Sequence, residues 1–178
     1  MKNSKKTRTF TTADGCTVLD LWKNSMLSIS AAEVLFKNPM HIFAGGYLAH
    51  NAIELMLKAW LLAKDGKFQG IHKLGDLYTQ LENQHGAQPL PKRIENILTK
   101  VENFGQLRYP NTNNPIEIGT DDWDDIEQLH KFIRDASRAD CNHFWGWDGE
   151  NSIVQFANLI KQFGASSPAP KSTQLIYY

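Results

Sequence analysis

Along residues 17–36 apolar side chains recur at three- and four-residue intervals, Trp22, Met26, Ile29 and Phe36 among them, the stripe of a helix with one buried face. Thr17 and Asp20 stand three apart at its start as a cap and its returning acid. Asn38-Pro39 ends it, because the residue before proline avoids the helical region. A second helix is expected over residues 40–64, stopping at Asp65-Gly66; its Gly45-Gly46 pair either weakens the early turns or admits a close neighbour. Leu74, Leu77, Tyr78 and Leu81 mark a short helix after His72. Pro89-Leu90-Pro91 leads into a third long helix, with Pro91 at its first position and Ile94, Ile97, Leu98, Val101 and Phe104 inward. The stretch 105–120 is too rich in Asn, Pro and Gly to continue it. A fourth long helix begins near Asp121 and turns Trp123, Ile126, Leu129 or His130, Ile133 and Ala136 inward. After the aromatic stretch NHFWGWDG a last helix is expected over 151–163, with Ile153, Val154, Ala157 and Ile160 inward and Gly164 closing it.

No convincing strand alternation, internal repeat or heptad series interrupts this succession. The fold class is all-α, a bundle of five to six helices, and 178 residues suffice for one core. The pattern divides the chain into a flexible basic arm over 1–16, one helical domain over 17–164 and a flexible tail over 165–178. Charge adds little: 19 basic side chains balance 19 acidic ones, so any pull on nucleic acid must come from a local patch. Lys2, Lys5, Lys6 and Arg8 are such a patch, either a solvated terminus or an arm for phosphate backbones. Cys16 and Cys141 form no close pair and no apolar leader opens the chain, which reads as reduced thiols in a cytoplasmic protein.

The apolar run 42–63 is long enough to raise the question of a membrane. His50, Asn51, Glu54 and Lys58 near its middle would be costly in lipid, so a buried helix of a protein in water is expected, with no membrane partner. His50, Glu54 and Lys58 follow one another at intervals of four and so share one stripe of that helix. The flanking stripes are apolar, and a covered charge needs a partner. A polar clasp to neighbouring helices that fixes register is one reading of the stripe; a ligand site is the other.

The stretch AHNAIELMLKAWLLAKDGKFQGIHKLGDLYTQL resembles the HEPN domain (higher eukaryotes and prokaryotes nucleotide-binding). Ala52, Glu54, Leu57, Lys58 and Ala59 match the long second helix of that family, and His72, Leu74 and Leu77 match its following segment. Leu107-Arg108-Tyr109-Pro110 looks like the R-Y-P signature after the third helix, and the acidic helix start 121–125 agrees. The likeness extends over roughly residues 20–138. It implies an up-and-down bundle around two long antiparallel helices.

Many members are metal-independent ribonucleases that act as dimers through an arginine followed four to six residues later by histidine. A guanidinium can hold the scissile phosphate with a planar fork of donors. An imidazole that titrates near neutrality can move the 2′-OH proton. The resemblance places the arginine at Arg108, with Tyr109 as a supporting or stacking neighbour. The residues that follow, YPNTNNPIE, hold no histidine, which is a departure from the cleaving members. Arg138 and His143 satisfy the spacing but come after the fourth long helix. In the bland reading Arg138 complements a helix C-terminus and His143 packs beside Phe144 and Trp145.

Other candidates carry less. The acids of DDWDD fit a helix start better than a cation loop. Cys141 and His143 lack a second pair of zinc ligands. The FWGWDG aromatics suit either base stacking or a core. His72 is expected as a structural cap bonded to backbone at the start of the short helix. No phosphate loop, nucleophile elbow or dinucleotide fingerprint is present, so neither metal nor cofactor is expected. The reading is a catalytically degenerate binding module for nucleotide, RNA or a protein partner, acting as a homodimer. The alternatives are a metal-independent endoribonuclease of toxin or phage-defence type, and a structural partner of a nucleotidyltransferase.

Overall fold

The computed structural model describes residues 7–108 and 115–141. Within them five α-helices follow one another: α1 (Val18–Phe36), α2 (Ile42–Asp65), α3 (Leu74–His85), α4 (Lys92–Phe104) and α5 (Asp122–Asp140). The expected sixth helix, over 151–163, lies outside the described residues.

α1 opens as its sequence requires, the Thr17 hydroxyl accepting from the Asp20 main-chain N–H at 3.0 Å. After Phe36 the chain turns through a 3-10 segment, Pro39–His41, so α2 starts at Ile42, two residues later than the apolar pattern suggests. Three contacts fix the direction of the α1–α2 pair. Leu35 and Phe36 lie over Gly45, Asn51 donates to Ser28 at 3.2 Å, and Ser25 donates to the Ala52 carbonyl at 2.6 Å. Residue numbers fall along α1 as they rise along α2, so these two long helices are antiparallel. α5 runs beside α2 in the same sense: Trp123 meets Phe36 near the start of α2, and Asp140 meets Trp60 near its end.

α2 is the axis of the bundle and touches each of the other four helices. From Ala49 to Leu62 almost every residue is buried, the pattern of a helix covered on all sides. Its two glycines make close packing possible against two different neighbours. A Cβ on Gly45 would meet the Phe36 ring at 2.8 Å, and one on Gly46 would meet the Leu107 side chain at 2.8 Å. α2 ends at Gly66, whose φ of +67° is the left-handed conformation that glycine adopts without strain.

Two features depart from the sequence expectation. Thr9–Thr11 (β1), assigned to a free arm, pairs antiparallel with Lys67–Gln69 (β2), with Phe10 opposite Phe68 and their rings stacked at 5.4 Å. Strands of three residues are too short to leave a period in the sequence. In addition the chain after α4 does not become irregular at once but continues as a 3-10 turn, Gly105–Arg108.

Candidate functional site

The polar stripe of α2 is buried: His50, Glu54 and Lys58 are 5%, 7% and 6% exposed. Lys58 Nζ donates to Glu54 Oε1 at 2.5 Å, along the helix rather than across to another rod. The closing contact comes from the loop between β2 and α3. His72 sets its ring Nδ1 3.0 Å from the same Glu54 oxygen, while His50 Nδ1 lies 3.9 Å from the other. Lys58 also sits over the Phe68 ring of β2, 5.5 Å from its centre. Helix-to-helix register is therefore not what the charges of this clasp set. It fastens the β2–α3 segment onto α2.

His72 is not a cap. Lys73 holds the cap position of α3 without a side-chain bond, and it is Glu102 of α4 that accepts from the Gly75 N–H at 2.8 Å. A carboxylate suits that place because the first N–H groups of a helix have no partner within it. Glu102 thus joins α3 to α4 and also adds negative charge near His50. Burial pushes the His50 imidazole below its ordinary pKa, and the Glu54 charge with a hydrogen bond to the His72 main chain draws it only partly back. His50 is accordingly neutral at pH 7, its ring wedged against Gly105, where a Cβ would come within 2.8 Å of Nε2.

One turn before His50 the stripe continues to Tyr47, which the sequence reading missed although it stands at the right interval. The Arg108 guanidinium lies over that ring, 5.9 Å from its centre. Arg108 is exposed and closes the 3-10 turn held against α2 by Leu107 and Gly46. The structure thus joins two groups of residues that the sequence kept apart, the α2 stripe and the arginine after α4. Tyr109 lies outside the described residues.

Arg138 sits in the last turn of α5, two residues before Asp140, which accepts from Trp60 Nε1 at 2.7 Å and from Lys64 at 2.9 Å. Burial alone would raise the Asp140 pKa, but those two donors outweigh it and hold the carboxyl below the usual range. Trp60 and Tyr47 are thirteen residues apart on α2, about 20 Å along its axis, so Arg138 and Arg108 stand at different ends of one chain. His143 lies outside the described residues.

A further pair mimics catalytic geometry without its chemistry. Ser25 Oγ is 3.2 Å from His130 Nε2, yet the hydroxyl proton is given to the Ala52 carbonyl. Both side chains are buried, and burial lowers the His130 pKa to about 3. The pair ties α1, α2 and α5 together. Of the DDWDD acids, Asp122 is buried, accepts from the Gly119 N–H at 2.9 Å and pairs with Lys100 of α4. Among the described residues no group of His, Cys, Asp and Glu is gathered to hold a metal, and no helix is long and apolar enough to cross a membrane.

These features define a class: an all-helical bundle wrapped around one long, almost wholly buried helix, with a basic turn after the fourth helix held against it. The family model for the HEPN domain matches residues 18–139, from the first residue of α1 to the last turn of α5, and the chain belongs to that family. No curated protein and no solved structure matches it.

Proposed function

We propose that the chain is a binding module whose ligand carries phosphate, a nucleotide or the backbone of an RNA, held by Arg108 with Tyr109 as a second contact. One observation carries this reading: Arg108 is exposed on a turn braced by α2, while the histidine one helical turn from its Tyr47 platform is buried and neutral. A guanidinium in that place can fork onto a phosphate. An imidazole that water does not reach cannot exchange protons with a ribose hydroxyl. His50 is thereby left out of any proton transfer, and the reading we favour is binding rather than cleavage. We read the module as a cytoplasmic homodimer built on one helical domain over 17–164. Its zero net charge leaves room for a protein partner, such as a nucleotidyltransferase, in place of nonspecific RNA.

Fluorescence anisotropy with labelled nucleotide and short RNA, across a salt series, tests the proposal. Arg108→Ala is expected to weaken binding roughly tenfold and to reduce the salt slope by about one. Unchanged affinity would remove Arg108 from the site.

The second reading is metal-independent RNA cleavage by Arg138 and His143, favoured by their Arg-x4-His spacing and by the exposure of Arg138. Cleavage of RNA in EDTA that is lost in both Arg138→Ala and His143→Ala would establish it against the binding reading.

A further inference from the structure

The Gly105–Arg108 turn lies along the α2 stripe in the opposite sense to the helix. Gly105 meets His50, Leu107 meets Gly46, and Arg108 lies over Tyr47. The next place on the stripe is Phe43, four residues before Tyr47 and about 6 Å further along the axis. There the cover ends. Phe43 keeps 57% of its surface exposed, and Met40, in the 3-10 segment that leads into α2, keeps 84%. Leu19, the other large apolar side chain exposed among the described residues, is far off near the start of α1. Exposed apolar side chains scattered singly are ordinary. Here, though, the bare ring stands one helical turn from a second ring that carries an exposed guanidinium.

We infer that Phe43 is a stacking platform for an unpaired base, and that the ligand of this site is a single-stranded nucleic acid with its neighbouring phosphate on Arg108. This rests on the reading of Arg108 as a phosphate contact and adds the kind of strand that the contact takes. Every base has a π-face that an aromatic ring can cover, whatever its sequence. In a duplex those faces are closed by the bases above and below, so only an unpaired strand can offer one.

The patch also has the size of a base and not of a protein. A stable protein interface buries about 800 Å² on each partner. A single aromatic side chain buries about 150–250 Å², and here one phenylalanine and one methionine stand bare. Charge points the same way. A chain with 19 basic and 19 acidic side chains lacks the broad positive field on which phosphate binding alone depends, so a few phosphate contacts gain most from stacking beside them.

Anisotropy of the full-length chain tests this with a short labelled single strand, the same strand in a duplex, the same strand with its bases removed, and a mononucleotide. The strand is used as RNA and as DNA, since the ring and the guanidinium read what both share. The single strand is expected to bind at least roughly tenfold more tightly than the other three probes. Phe43→Ala should lose roughly that tenfold while keeping the salt slope, whereas Arg108→Ala lowers the slope by about one. Phe43→Leu keeps apolar bulk without a π-face and should bind as weakly as Phe43→Ala; Phe43→Trp should bind at least as well as the unsubstituted chain. A 2-aminopurine in the strand should be quenched on binding the unsubstituted chain and not on binding Phe43→Leu. Equal affinity for single strand and duplex, or a Phe43→Leu chain that binds normally, would overturn the stacking role, while a loss in Arg108→Ala would still uphold the phosphate contact. A dimer that falls apart in Phe43→Leu by light scattering would make the ring a subunit contact and overturn the role as well. Binding indifferent to Arg108 with every probe would remove the phosphate contact and the platform together.

Discussion

Glu54 is a carboxylate with almost no water, and what keeps it there is the number of cations and donors turned on it. Lys58 stands at 2.5 Å and His72 at 3.0 Å, while the neutral His50 ring lies 3.9 Å from the other oxygen and only helps to exclude water. Removing one partner of a buried pair leaves the other charge uncompensated, which costs far more than the pair contributes over an apolar substitute. Lys58→Met is therefore expected to lose about 3 kcal/mol of unfolding free energy. Glu54→Leu with Lys58→Met should recover most of that loss, because no charge is then stranded. Urea denaturation of the two variants beside the unsubstituted chain measures the difference. A double variant no more stable than Lys58→Met would mean that the clasp acts through more than its charge. The stripe itself could be read from the interval of four and the apolar flanks. Its partner could not, because His72 lies beyond the three-residue strand β2, whose path the periodicity does not contain.

At the scale of elements, the approach of the Gly105–Arg108 turn to α2 depends on Gly46. A methyl group there would run into Ile118 and come within 2.8 Å of Leu107. Alanine favours helix over glycine by about 1 kcal/mol. Overpacking at such distances costs about 1–3 kcal/mol. Gly46→Ala should thus destabilise by about 1 kcal/mol on balance and, by shifting Leu107, weaken any ligand held by Arg108. Denaturation and the anisotropy assay read the two effects separately, and a more stable variant with unchanged affinity would show the packing to be slack. All five helices were legible because each buries a stripe over two turns or more, Leu74 to Leu81 at the short end and Trp22 to Phe36 at the long end. The elements that escaped are short: two strands of three residues and the 3-10 turns. The cap of α3 escaped for another reason, since Glu102 arrives from α4 and no local pattern around His72 points to it. Arg108 entered only through the family likeness, and the ring beneath it only through the fold.

For the molecule as a whole these buried groups set how stability follows pH. Unfolded, the His130 imidazole takes a proton near 6.5; folded, burial holds that step down to about 3. Between those values the unfolded chain binds one more proton than the folded one, so stability is full above about pH 6.5 and falls as the solution is acidified. The slope from this residue alone approaches 1.4 kcal/mol per pH unit. His50, also lowered by burial, adds to it with the same sign. On the alkaline side Tyr78, raised to about 12 by burial with its hydroxyl bonded to the Gln88 carbonyl, makes stability decline as pH climbs from 10. Burial also raises the Cys141 thiol, whose ordinary value is 9.0, so the chain is expected to be most stable between about pH 7 and 9, a window that follows from where its titratable groups are buried and not from its pI. Urea unfolding at pH 7, 6, 5 and 4 tests the acid limb. His130→Phe lowers stability at pH 7 through the altered packing, yet its decline toward pH 4 should be shallower by close to one proton. Parallel slopes for the two proteins would place the acid sensitivity elsewhere and free His130 of the role its burial assigns it.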